Sequence, residues 1–91
     1  MHAKPNAEWI TQAPYTAMLA SYRSAAEKLK HRIDVLKQEL SVMKKRKAGT
    51  YASAQAQALL ERRIQMLREE RSDIADVIRS ILPYAEQEVQ S

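Results

Sequence analysis

Chemistry-bearing side chains are few in this chain, and none is spaced for catalysis. His2 stands in an N-terminal arm, and His31 falls on the outward side of a long helical pattern. Metal sites on helices need ligands such as the two ends of Glu-x-x-His, facing inward from one face. No Glu-x-x-His occurs, and neither histidine has a metal-spaced partner on a buried face. The absence of cysteine removes disulfides and thiolate ligands. A single glycine leaves no material for a phosphate-cradling loop or a nucleophile elbow. What remains is charge. Lys44, Lys45, Arg46 and Lys47 form a basic run, and Arg71 interrupts an apolar pattern. The run is a candidate nucleic-acid contact through phosphate neutralisation. Its plainer readings are a solvated helix end and a localisation signal. Arg71 is a candidate specificity element, buried and paired so as to set register or oligomer state. In the simpler reading its stem covers Leu29 while the guanidinium reaches Glu27 or Asp73; an anion ligand is a third. No catalytic residue, cofactor or metal is expected, so the chain reads as non-enzymatic.

The elements that carry these charges follow from composition. Ninety-one residues suffice for one small domain. Helix formers dominate, Phe is absent and Gly occurs once, which is the signature of long helices or a coiled coil. Fifteen basic against eleven acidic side chains leave a formal charge of +4, which permits polyanion contact without requiring it. No apolar run approaches the ~18 residues of a membrane span, and Met1 to Asn6 lack the apolar core of a signal peptide. A cytoplasmic protein with no membrane partner is expected.

The lone glycine, within Lys47-Ala48-Gly49-Thr50-Tyr51, organises the pattern around it. Leu40 and Leu60 lie equally far from Thr50, as do Leu36 and Ile64, Ile33 and Leu67, Tyr22 and Ile78, and Leu19 and Ile81. A chain folded back at Gly49 brings each pair level. Tyr15, Leu19, Tyr22, Ala26, Leu29, Ile33, Leu36, Leu40 and Met43 recur at alternating steps of three and four, a heptad seam. Leu60, Ile64, Leu67, Arg71, Ile74, Ile78 and Ile81 answer it. The expected fold is all-α, a long antiparallel helical hairpin. Residues 1–13 form an arm, with Pro5 and Pro14 as punctuation and Trp9 and Ile10 covering an end of the core or anchoring a partner. A helix occupies 14–47, with Pro14 in its first turn. A turn follows at 48–51, where Gly49 can take the left-handed conformation that ends a helix. A second helix fills 52–82, and Pro83 stops it. Residues 83–91 are a polar tail in which Tyr84 folds against Met18 or Trp9.

Charges flanking the seam support the same register, placing Glu39 opposite Arg63, Arg32 opposite Glu70 and Lys37 opposite Glu61, with Lys30 opposite Arg68 the exception. Beside the seam, Val35, Val42, Leu59 and Met66 lie on one shoulder together with Met18, Ala25 and Val77. A two-helix coil leaves such positions in water. A short chain gains little from one seam alone, so Val35, Val42, Leu59, Met66 and Val77 form the expected oligomer interface. Two copies would close it into a four-helix bundle, or the helices of another protein would cover it.

Two families offer likenesses. Arg32-Ile33-Asp34-Val35-Leu36, followed by Leu40, Met43 and Arg46, resembles the first long helix of all-helical chorismate mutases. The arginine expected upstream falls among Lys28, Leu29 and Lys30, and only residues 83–91 remain for the third helix that the enzyme needs. Those departures set the enzyme aside. Leu60-Glu61-Arg62-Arg63-Ile64-Gln65-Met66-Leu67-Arg68-Glu69-Glu70, then Asp73-Ile74 and Val77-Ile78, resembles the N-terminal helical hairpin of phage-type late-gene transcriptional regulators across about residues 19–82. The helix-turn-helix that follows in those regulators has no counterpart here. The likeness therefore implies a dimerisation element of prophage or mobile-element origin and does not carry over DNA reading. Non-enzymatic self-association or docking on a helical partner is the expected function. The alternative is a nucleic-acid-associated protein using the basic tip, with Lys30, Lys37 and Arg68 along one flank.

Overall fold

The computed structural model describes residues 13–46 and 51–90. The chain is all-helical, with two long helices packed against each other as a hairpin: α1, Pro14–Lys45, and α2, Tyr51–Gln90. Trp9, Ile10, Lys47 and the expected turn at Gly49 lie outside the described residues. Packing divides the chain into two compact units, one of Glu27–Asp73 and one joining Met1–Ala26 to Ile74–Ser91.

Within Glu27–Asp73 the seam is built from the positions expected of it. Ile33 and Ile64 are buried, while Leu29, Leu36, Leu40, Met43, Gln57, Leu60 and Leu67 are half-buried. These are the positions that the steps of three and four bring to one face. Arg71 is exposed, and among the described residues it forms no ion pair with Glu27 or Asp73. A long flexible cation at the rim of a narrow seam keeps its hydration by turning outward.

The expected ion pairs of this unit are not those formed. Glu61 pairs with Lys44 at 3.5 Å, not with Lys37, and neither Glu39–Arg63 nor Arg32–Glu70 is an ion pair among the described residues. The reason is geometric. Helical side chains lean toward their own N-terminus, so in an antiparallel pair each contact partner lies closer to the helix C-terminus than backbone level predicts. Both Lys44 and Glu61 are more than half exposed, so their pair is worth about 0–1 kcal/mol.

The unit containing both outer helix ends has its own core. Leu19, Ile81 and Ala85 are buried, with Tyr22, Ile78 and Leu82 packed against them. Here the expected helix end is corrected: α2 runs through Pro83 to Gln90. Pro83 lies two residues from both Ile81 and Ala85, about 200° round the helix from each, and is exposed. Its ring, and the Arg79 carbonyl to which it can donate no N–H, therefore face away from the seam, where a proline in a helix does least harm. Ser80 Oγ donates to the Asp76 carbonyl at 3.0 Å, and Arg79 pairs with Asp76 one turn away. Residues 83–90 are thus the last turns of α2, with neither a loose tail nor a third helix. Tyr15 does not enter the core. It is 39% exposed and stacks on Tyr84, with ring centroids 5.1 Å apart. Tyr84 therefore has Tyr15 as its ring partner, while the expected Trp9 lies outside the described residues.

Candidate partner-binding faces and the helix latch

Continuing α2 past Pro83 delivers Glu88 to the start of α1. The first four N–H groups of a helix lack partners within it, and a Ser, Thr, Asp or Asn just before it usually accepts from them. Here Ala13 occupies that place: its carbonyl accepts from Ala17 N–H at 3.1 Å, but its methyl accepts nothing. Pro14 has no N–H, and the first turn of α1 contains no acid. Glu88 of α2 fills the gap. Its Oε2 accepts from Tyr15 N–H at 3.0 Å, and its Oε1 from Thr16 N–H and the Thr16 hydroxyl, both at 2.8 Å. Desolvation pushes this carboxyl up, but the bonds from Tyr15 N–H, Thr16 N–H and the Thr16 hydroxyl together outweigh it and hold Glu88 below the ordinary value of 4.5. The positive end of the α1 dipole favours the same charged form. The sequence reading missed Glu88 because it stopped the repeat at Pro83. Steps of three and four from Ile81 through Ala85 reach Glu88, and an uncapped Ala13-Pro14 start was the matching signal.

The expected interface residues divide by burial. In the Glu27–Asp73 unit, Val35 is 43% exposed, Val42 47%, Met66 60% and Leu59 64%. Val35 and Val42 line one shallow groove with Met43, Gln38, Glu39 and Arg46. In the other unit Val77 is half-buried, as is Ala25, while Met18 is exposed. Val77 is thus already partly covered by its own unit, and the four residues of the tip-side unit carry the apolar shoulder.

The described residues of the basic run, Lys44, Lys45 and Arg46, do not form one patch. An α-helix turns about 100° per residue, so consecutive side chains point in different directions. Lys44 turns to Glu61, Arg46 borders the Val35–Val42 groove, and Lys45 is exposed. Across the seam from the apolar shoulder lies an open groove of about 520 Å³, lined by Lys37, Leu40, Ser41 and Lys44 of α1 and Glu61, Ile64, Gln65 and Arg68 of α2.

Among the described residues no group of three or more His, Asp or Glu side chains is placed to hold a metal ion, and no helix is long and apolar enough to cross a membrane. Compared with protein-family models, curated proteins and solved structures, the chain matches none of them.

Proposed function

We propose that this chain is a non-enzymatic oligomerisation module of the cytoplasm, a helical hairpin that pairs with a second copy of itself into a four-helix bundle. One observation carries the reading: the disproportion between core and shoulder. Among the described residues only Leu19, Ile33, Ile64, Ile81 and Ala85 are buried hydrophobics, and no side chain is fully enclosed. Val35, Val42, Leu59 and Met66 meanwhile expose from 43% to 64% of their surface on one side of one unit. An apolar face set beside so thin a core favours association.

A second copy is favoured as occupant by the pattern of the face. Val35 and Val42 are seven residues apart on α1, and so are Leu59 and Met66 on α2. A two-fold axis through such a face lets each copy present the same two rows to the other, the self-complementarity that a closed dimer needs. Charges of both signs border it, with Glu39 and Arg46 along the valine groove, so antiparallel copies can exchange ion pairs at the rim. The likeness to the hairpins of phage-type regulators fits this reading, since what it contributes is a dimerisation element. Thermal unfolding over a hundredfold range of concentration tests it. The midpoint rises with concentration if folding is coupled to pairing, and Val42→Glu removes that dependence while leaving helicity at low concentration intact. A midpoint independent of concentration in the wild type refutes the proposal.

A further inference from the structure

The groove on the other side of the seam points to a second interaction surface. Lys30, Lys37 and Lys44 recur every seven residues on α1 and so lie along one line, at intervals of about 10.5 Å. Arg68 joins Lys37 and Lys44 from α2 in lining the groove, whose floor is Leu40 and Ile64. Glu61 is the only carboxylate in that lining, and it lies 3.5 Å from Lys44. Lys30, Lys37, Lys44 and Arg68 thus stand against two carboxylates, Glu61 and Asp34, the latter lining an adjoining groove with Lys37 and Ser41, and the flank keeps a net positive charge on the side of the seam away from the apolar shoulder.

We infer that this flank binds the sugar-phosphate backbone of duplex nucleic acid without reading sequence. The lysine interval is close to the ~12 Å width of the major groove, so neighbouring lysines can meet phosphates on its two lips. A protein partner would call for an anchor such as a buried aromatic or an arginine pocket, and this groove has no aromatic in its lining. Phosphates require only cations at suitable intervals. The inference is independent of self-association, because the shoulder and the flank lie on opposite sides of the seam and closing one leaves the other open. It narrows the nucleic-acid alternative read from sequence, which joined the tip run to this flank, to the flank alone. Lys44 belongs to the flank, whereas Lys45 and Arg46 do not line the groove.

The arrangement sets a quantitative expectation. Lys30, Lys37 and Arg68 contribute about three phosphate contacts, with Lys44 held back by Glu61, so log affinity should fall with log salt at a slope of roughly −3. Fluorescence anisotropy of a labelled 20-base-pair duplex of arbitrary sequence, titrated with the full chain between 50 and 200 mM salt, reads that slope. Lys37→Gln with Arg68→Gln should bring it to roughly −1. Glu61→Gln should tighten binding and steepen the slope by roughly 1, because it releases Lys44. That gain cannot arise from misfolding, and circular dichroism checks the loss variant. Lys45→Gln with Arg46→Gln should leave the flank-dependent slope in place. The inference is overturned if the Lys37/Arg68 variant keeps the wild-type slope, if the tip variant alone abolishes binding, or if polyglutamate displaces the duplex at equal charge concentration.

Discussion

Replacing Pro83 by alanine should stabilise the protein, and the size of the gain follows from where the ring sits. A proline inside a helix is disfavoured by about 3 kcal/mol relative to alanine, through one missing hydrogen bond and a clash with the carbonyl four residues earlier. In α2 that carbonyl belongs to Arg79, whose side chain is engaged with Asp76 on the exposed side. Pro83 itself is exposed and, by its position round the helix, points away from Ile81 and Ala85 of the buried trio. Part of the penalty is therefore already relieved by hydration of the outer face. We expect Pro83→Ala to raise stability by about 1–2 kcal/mol, or about 5–15 °C in melting temperature for a domain of this size. The assay is thermal unfolding followed by circular dichroism at 222 nm, at one fixed concentration. Mean helicity should stay the same or rise slightly, since residues 83–90 are helical already. An unchanged or lowered midpoint would refute the reasoning, because it would mean that α2 does not continue through Pro83 and that Glu88 is not delivered to α1.

Three further outcomes follow. Glu88→Gln should lower the melting temperature at neutral pH. The carboxyl is held below 4.5 in the folded chain, so its contribution is present above that value and is lost as pH falls beneath it. The variant should consequently lose less stability than the wild type between pH 4.5 and pH 2.5, and parallel pH profiles would contradict the latch. Arg71→Leu should leave helicity unchanged and raise stability by about 1 kcal/mol, since a leucine level with Leu29 covers seam that the exposed arginine leaves open; a loss measured by urea denaturation would mean that Arg71 is paired when the chain assembles. Leu59→Ala should cost less than about 1 kcal/mol in the isolated hairpin, where Leu59 is 64% exposed. In a dimer, two copies each lose about 1.5 kcal/mol of newly buried surface, weakening the dissociation constant on the order of 100-fold.

The two-helix architecture was legible because one repeat of three and four persists on both sides of a single glycine, and periodicity of that length has one structural meaning. Leu19 and Ile81, equally far from Thr50, are both buried, and so are Ile33 and Ile64, whose counterparts about Thr50, Leu67 and Leu36, are half-buried. The exposed shoulder was legible for the same reason, since heptad positions distinguish Val35, Val42, Leu59 and Met66 from the seam. Three features were not. Pro83 stops a helix by local rules, and only its position round the helix, opposite Ile81 and Ala85, shows why it is tolerated. The partner of Glu61 depended on the lean of side chains, which a level-by-level reading ignores. The start of α1 depended on an acid seventy-two residues away from Thr16, a distance at which no capping motif is written. Only the last of these was a local rule overruled by a neighbour from the other helix.

Sedimentation equilibrium of the full chain at micromolar concentration tests the central claim most directly. A self-pairing hairpin predicts a mass approaching twice the 10.4 kDa of the single chain, little affected by salt and returned to the single-chain value by Val42→Glu. A wild-type mass that stays at 10.4 kDa throughout the micromolar range would contradict it.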